Sequence, residues 1–594
     1  MKRFASIDFL RGIAIVVMLF LHMVGNFLDS KTLFIYLEDR ALINFVVLVA
    51  FPFCGGLAGF FLLVSSIGNM VSMHNHLQAG RSVSSLVTKQ VVGGILLLCF
   101  AFLCESTTGY LGALGNFFHK LHNPGAGKYL IPMFQRGFTV ETIHTIAWCI
   151  LINGLVQGYL SRNGAWRNIR YQVTQYAALA VFVVVLTQPV WQLAEMYGGR
   201  YGYPWELATG EMVCRPYLLG SSTTFSDFLK GVFLAPLAAP MEPVFPYLSI
   251  SFVGSIIGLV ISQPAKNVPR NFPRKVLFIG LAMFIVGTVG LVLYIATIAS
   301  RKGGFSDAVA VWRSLPFHRQ WYNFPDIPES STFPLAWLWQ FLSLNGVAIM
   351  ATMFAIRVAE FRGRGAFFGN NTAFIRRFGF IAFTNYNNQW YFWIAQFFMG
   401  ALIAAAGAQN VAYIASLPGD PYNPYLKLDW GFTLLLVVIV FAMYHGIMLL
   451  WEKVGYLGSL EWCMLTIAHA ILPARKDRKP DETPKRWWQK GQLNVDAAFY
   501  NVEWINIVED SEINHANKAD SKFALKVALI GLLSIVFMPA TFVSLVLARD
   551  ARETEGKNVH NQLARAVSIF GIALMIAATF ALSLVTPAML GLSL

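Results

Sequence analysis

Charge is scarce in this chain. Asp, Glu, Lys and Arg make up 13% of its 594 residues, about half the share of an ordinary soluble domain. That excludes the string of soluble domains that length alone would suggest. Acidic residues are scarcer than basic ones, 31 against 45, for a formal charge of +14. The excess does not describe a nucleic-acid binder. The Lys and Arg residues sit in short connections between apolar runs, as cytoplasmic loops do. Cysteine is sparse and has no paired pattern. Cys54, Cys99, Cys104, Cys149, Cys214 and Cys463 show neither metal-ligand nor disulfide spacing. Five lie in or beside apolar runs, where a free Cys packs as a small hydrophobe. A disulfide scaffold and a zinc site are excluded, and no metal is expected. A cleavable leader is missing too. The first apolar run carries Asp8 and Arg11 at its start and continues past leader length without a small-residue cleavage site. Nor is there a clear inverted repeat of the kind that marks many transporters.

What the chain has is apolar sequence, 56% of it. Crossing a bilayer takes roughly 20 helical residues, and a spanning segment must satisfy its own backbone. Windows of that length fall near 8–29, 42–66, 90–106, 139–160, 173–193, 244–262, 276–299, 334–356, 379–405 and 430–451, with two more near 524–547 and 565–588. These predict an all-α, polytopic bundle. About ten helices form a core over 1–474, followed by a polar insert over 475–522 and a two-helix membrane hairpin over 523–594. Whether 455–474 crosses the membrane is left open, and with it the orientation of the hairpin. With Met1-Lys2-Arg3 inside, Arg81 and Lys89, then Arg162, Arg167 and Arg170, then Lys266, Arg270, Arg274 and Lys275, then Arg357, Arg362, Arg364, Arg376 and Arg377 all fall on the cytoplasmic side. The basic run Arg475-Lys476-Asp477-Arg478-Lys479 places the insert there as well. The long connections 107–138, 194–243, 300–333 and 406–429 lie outside and carry Trp312, Trp321, Tyr322 and Tyr422. Such rings stack on sugars or anchor at the bilayer surface; both readings stand. Pro52, Gly55 and Gly56 weaken the second span.

Polar groups inside spans are costly, and they mark cavities or interhelical bonds. At about 100° per residue, Asp8, Arg11, His22 and Asn26 fall on one stripe of the first helix. At ~1.5 Å per residue, His22 stands roughly 16 Å further along the helix than Arg11. A snorkelling arginine with a structural histidine is one reading; a cation and a titratable imidazole lining one site is the other. Glu141 and His144 share a face of the fourth span. Thr384-Asn385-Tyr386-Asn387-Asn388-Gln389-Trp390 is a polar run within the ninth. Its amides either hold helices together or line a ligand cavity.

The motif Ser6-Ile7-Asp8-Phe9-Leu10-Arg11-Gly12-Ile13-Ala14, with His22 eleven residues after Arg11, resembles the first-helix signature of the acyltransferase-3 superfamily of membrane acyltransferases. Phe51-Pro52-Phe53, Ser65-Ser66-Ile67-Gly68 and Glu141-Thr142-Ile143-His144-Thr145-Ile146 resemble the heparan-α-glucosaminide N-acetyltransferase catalytic family. Residues 29–40 hold no histidine, which departs from that family's lysosomal enzyme. Further on, Phe378-Gly379-Phe380-Ile381-Ala382-Phe383-Thr384-Asn385-Tyr386 with Gln389, and Gly458-Ser459-Leu460-Glu461-Trp462, resemble the YeiB-like family of the same superfamily. The resemblance covers about residues 3–470.

The resemblance implies a prokaryotic inner-membrane enzyme that moves an acyl group, acetyl from cytoplasmic acetyl-CoA, to a glycan or other envelope acceptor on the outer face. Its partners would be the lipid bilayer, the acyl-CoA and that acceptor, with no nucleic acid; the oligomeric state is left open. His22, with His144 and Glu141, would be catalytic. Arg11, held by Asp8, would bind the donor, and Asn26, Asn385, Tyr386 and Gln389 would line the substrate cavity. A transporter or flippase for a lipid-linked or anionic molecule predicts the same buried polar groups and is the alternative.

Overall fold

The computed structural model describes residues 2–28, 56–108, 113–114, 117, 140, 142–198, 205–206, 212–213, 224–239, 242–302, 336–405, 412–414, 426–428, 430–472, 486–512, 515–533 and 539–584. They are overwhelmingly helical. The three strand pairs are two or three residues long: β1 (Lys2–Arg3) with β6 (Glu503–Trp504), β2 (Trp205–Glu206) with β3 (Met212–Val213), and β4 (Ala412–Ile414) with β5 (Leu426–Leu428). Among the described residues nine helices are long and apolar enough to cross a membrane. The chain is therefore an all-α, polytopic membrane protein.

In chain order the first helices are α1 (Ala5–Phe27), α2 (Leu57–Gln78), α3 (Val83–Ser106), α4 (Thr142–Ser161), α5 (Ile169–Gly198), α6 (Phe225–Phe233), α7 (Val244–Ile261), α8 (Phe272–Lys302) and α9 (Ala336–Ala359). The second expected span, 42–66, is displaced: its helix begins at Leu57, and 42–55 lie outside the described residues. The ninth, 379–405, is not one helix. After α10 (Gly365–Asn371), it is divided among the end of α11 (Ala373–Phe380), α12 (Ala382–Asn387), a 3₁₀ turn at Asn388–Trp390, and α13 (Tyr391–Ala405). The break falls at Ile381, whose φ of −118° and ψ of 53° leave the helical region. Then come α14 (Trp430–Glu452), α15 (Leu460–Ile471) and the single turn α16 (Trp487–Lys490).

The described residues fall into two units. The first is built around α1, whose Ile15, Met18, Leu19, Met23 and Phe27 are buried with Phe378, Ile381, Phe392, Val440 and Tyr444. Lipid is as apolar as these side chains, so close packing rather than exclusion of water holds such helices together. The crossing of α1 with α11 depends on two glycines. A Cβ on Gly12 would lie 2.1 Å from the Ile375 carbonyl oxygen, and one on Gly379 2.5 Å from the Gly12 nitrogen. Between α2, α4 and α7, Ser66 Oγ and Ser251 Oγ are 2.7 Å apart, and Asn153 Nδ2 donates to Ser251 and Ser255 at 2.8 Å each. These are interhelical bonds of the ordinary kind.

The polar insert belongs to this first unit up to Ile507, not to a body of its own. β6 pairs parallel with β1, Lys2 opposite Glu503 and Arg3 opposite Trp504. Ile507 N donates to the Glu360 carbonyl at 2.8 Å, and Asn506 Oδ1 accepts from Gly365 N at 3.1 Å. The second unit holds α17 (Ala519–Leu533), α18 (Pro539–Glu555) and α19 (Val559–Leu584). Three helices thus stand where hydropathy draws two spans. The stretch 524–547 is shared by α17 and α18, the latter opening on Pro539, a residue suited to a first helical turn.

Candidate functional site

A cavity of about 240 Å³ opens within the first unit. Arg11 and Ile15 of α1, Ser65 of α2, Tyr386 of α12 and Glu461 of α15 line it. So do the apolar Leu97 of α3 and Ile143, Ile146 and Ile150 of α4. The cavity is therefore amphiphilic, with a cation and a carboxylate at a largely hydrocarbon space. Gly68 makes room for the cation: a Cβ there would lie 3.1 Å from Arg11 Nη2.

Asp8 is not hydrogen-bonded to Arg11, although its charge acts on that guanidinium. It takes both of its bonds from Arg3, Nε to Oδ2 at 2.6 Å and Nη2 to Oδ1 at 2.9 Å. Arg3 is brought there by the β1–β6 pair, a contact across five hundred residues. His22 keeps its place on the Arg11 stripe but does not line the cavity. Its Nδ1 lies 2.5 Å from Gln389 Oε1, while Gln389 Nε2 donates to the Tyr386 carbonyl at 2.8 Å. A carbonyl only accepts, so the amide orientation is fixed, and Gln389 Oε1 must accept a hydrogen bond from Nδ1–H. In the neutral form of the ring the basic nitrogen is then Nε2.

Of the expected cavity residues, Tyr386 lines it. Asn385 is buried and donates to the Phe378 carbonyl at 3.0 Å and to Met448 Sδ at 3.5 Å. It satisfies backbone freed by the break at Ile381. Asn387 donates to the Phe383 carbonyl at 2.9 Å, and the Tyr444 hydroxyl to the Asn388 carbonyl at 2.7 Å. Asn26 lies in α1, but its side chain is outside the described residues, as is all of Glu141. His144 is buried edge-on to Phe102, ring centroids 4.8 Å apart, on a different side of α4 from the cavity-lining Ile143, Ile146 and Ile150.

Glu461 was missed as a site residue. Its Oε1 accepts from Phe383 N at 2.7 Å and Thr384 N at 3.3 Å, and its Oε2 from the Thr384 hydroxyl. Thr384 Oγ1 in turn accepts from Leu460 N at 2.9 Å. One carboxylate thus caps the free start of α12. In the sequence it resembles an acidic residue in the first turn of a helix, favourable there for the helix dipole alone. Nearby, Arg377 Nε pairs with Glu452 Oε2 at 2.7 Å, and the Tyr500 hydroxyl donates to Glu452 Oε1 at 2.5 Å. That bond to a carboxylate holds the Tyr500 phenol above its usual range. Among the described residues one His/Asp/Glu group, His515, Asp520 and Glu555, has donor atoms within 4.8 Å of one another. Glu555 is engaged there as a cap, accepting from Asp520 N, Ser521 N and Ser521 Oγ.

No family model, curated protein or solved structure matches the chain.

Proposed function

We propose that this protein is a membrane-bound acyltransferase that moves an acyl group from a cytoplasmic acyl-CoA, acetyl-CoA in the first instance, to a hydroxyl or amine of a glycan or similar acceptor on the outer face. The observation that supports the reading is the His22–Gln389–Tyr386 chain of hydrogen bonds, which engages Nδ1 and makes Nε2 the basic nitrogen of the imidazole when it is neutral. Nε2 takes the proton of the acceptor as its oxygen or nitrogen attacks the thioester carbonyl. The coenzyme leaves as thiol, receiving that proton back from the imidazolium. Arg11 and the amphiphilic cavity lie roughly 16 Å before His22 along α1, a distance that the pantetheine arm of coenzyme A bridges. The motif resemblance of residues 3–14 and 378–389 points the same way. Gln389 is then a positioning residue, and Glu461 a support of the helix break beside the cavity.

A transporter remains the second reading, favoured by the interrupted α11–α13 segment. Broken helices with backbone aimed at a cavity are a common substrate site in transporters. The two readings part on turnover. The purified chain in nanodiscs, given radiolabelled acetyl-CoA, is expected to release coenzyme A and place label on an envelope glycan or on water. No turnover with any acyl-CoA, alongside uptake of label into sealed vesicles, would establish the transporter instead.

A further inference from the structure

A second, much smaller pocket adjoins the cavity: Arg11, Gly379 and Phe380 line both. Its volume is about 10 Å³, room for one water-sized atom. Arg3, Asp8, Arg11 and Arg376 surround it, and Ala498 and Phe499 of the insert close it. Three guanidinium groups therefore meet a single carboxylate, and Asp8 gives both of its oxygens to Arg3. Arg11 and Arg376 are left with no carboxylate of their own in the pocket.

Arg376 is 3% exposed. Its Nε donates to the Gly369 carbonyl at 3.0 Å and its Nη1 to the Ala498 carbonyl at 2.8 Å. The rings of Trp504 and Phe499 lie 4.7 and 5.2 Å from its Cζ. These contacts hold the guanidinium rigidly, yet its buried Nη2 has no hydrogen-bond partner among the described residues. Buried charges are ordinarily paired and buried donors ordinarily bonded. A fixed guanidinium with one unbonded nitrogen, beside a second cation, is an arrangement that an oxyanion would satisfy.

We propose that this pocket is an oxyanion site for one phosphate group, held between Arg376 and Arg11, with a phosphate oxygen accepting from Arg376 Nη2. Two guanidinium groups, with the pocket's one carboxylate already bonded to a third, match the double charge of a phosphate monoester better than the single charge of a carboxylate. The one-atom pocket takes an oxygen, and the shared wall at Arg11 lets the rest of the ester run into the 240 Å³ cavity. The insert is then part of the binding site, since Ala498, Phe499 and Trp504 are what fix Arg376. The anion site stands without the acyltransferase reading; only the identification of the phosphate with that of coenzyme A rests on it. The other source of such a group is an anionic lipid headgroup.

The test uses the full chain in phosphatidylcholine nanodiscs, its melting temperature followed against inorganic phosphate, with chloride at matched ionic strength as control. Phosphate is expected to stabilise saturably and chloride not. Arg376→Gln and Arg11→Gln should each weaken the effect at least tenfold, whereas His22→Gln should not. Arg11→Gln keeps every bond that fastens the insert, so it serves even if Arg376→Gln folds poorly. Competition by coenzyme A assigns the phosphate to the donor, and competition only by phosphatidic acid in the disc assigns it to a lipid. Either result supports the anion site, and the second rejects the donor assignment. No saturable phosphate effect, or an equal one in wild type and both arginine variants, overturns the proposal.

Discussion

Replacing Gly379 by alanine adds one methyl group at the crossing on which the site depends. Its Cβ would lie 2.5 Å from Gly12 N, 2.8 Å from Arg11 C and 2.9 Å from Gly12 Cα. All three are backbone atoms, so no rotamer relieves the clash. Ordinary contact begins near 3.4 Å, and α1 and α11 must therefore part by roughly 1 Å, which forfeits a quarter to a half of the dispersion energy of the contacts along the crossing. Overpacking of this kind costs about 1–3 kcal/mol. The same shift displaces Arg11 from its place between the two pockets, so phosphate stabilisation should fall with folding stability. The matched control is Gly93→Ala in α3, where a Cβ meets nothing within 4 Å. Only helix propensity changes there, and the variant should gain up to ~1 kcal/mol. Reversible unfolding of both variants in mixed micelles, against wild type, gives the comparison. A Gly379→Ala protein as stable as Gly93→Ala would refute the close crossing and the placement of Arg11 that follows from it.

Two further outcomes are expected. Glu461→Gln keeps the shape but brings an NH₂ group against the donors at Phe383 and Thr384, so it should lose roughly 1–3 kcal/mol in the same unfolding assay; an unchanged stability would mean that the α12 break does not depend on the carboxylate. Cysteines placed singly in 162–170 or 264–274 should be protected from an impermeant thiol reagent in intact cells, and one in 305–330 labelled, on a background free of the native cysteines; labelling of the first two would reverse the orientation drawn from the basic loops.

Hydropathy made the membrane-spanning architecture legible, because a twenty-residue apolar run has few alternatives to a helix. It did not show where runs are interrupted. The ninth span reads as continuous, yet it breaks at Ile381, because Glu461, some eighty residues away, supplies the acceptor that the freed amides need. Over 524–547 one described helix ends at Leu533 and another begins at Pro539, a start that hydropathy averaging hides. The stripe of Asp8, Arg11 and His22 follows from helical spacing, but its partners do not. Asp8 goes to Arg3, because a two-residue strand near the start pairs with one near residue 503. His22 goes to Gln389, which joins the first helix to the ninth-span polar run. Arg376 was grouped with Arg377 as an inside-loop charge. What sets them apart is tertiary: the insert covers Arg376 with Phe499 and Trp504, while Arg377 finds Glu452. Asn385 shows the opposite error, an amide that suggests a ligand but serves the backbone at Phe378.

The central claim is that His22 does chemistry, and comparison of His22→Ala with His22→Gln tests it most directly. Glutamine retains a donor for Gln389 Oε1 but has no titratable nitrogen. With radiolabelled acetyl-CoA and the chain in nanodiscs, both variants should lose transfer by ~10²–10⁴-fold while phosphate stabilisation stays at the wild-type level. Near-normal transfer by His22→Gln would contradict the account, reducing His22 to a hydrogen-bonding partner of Gln389.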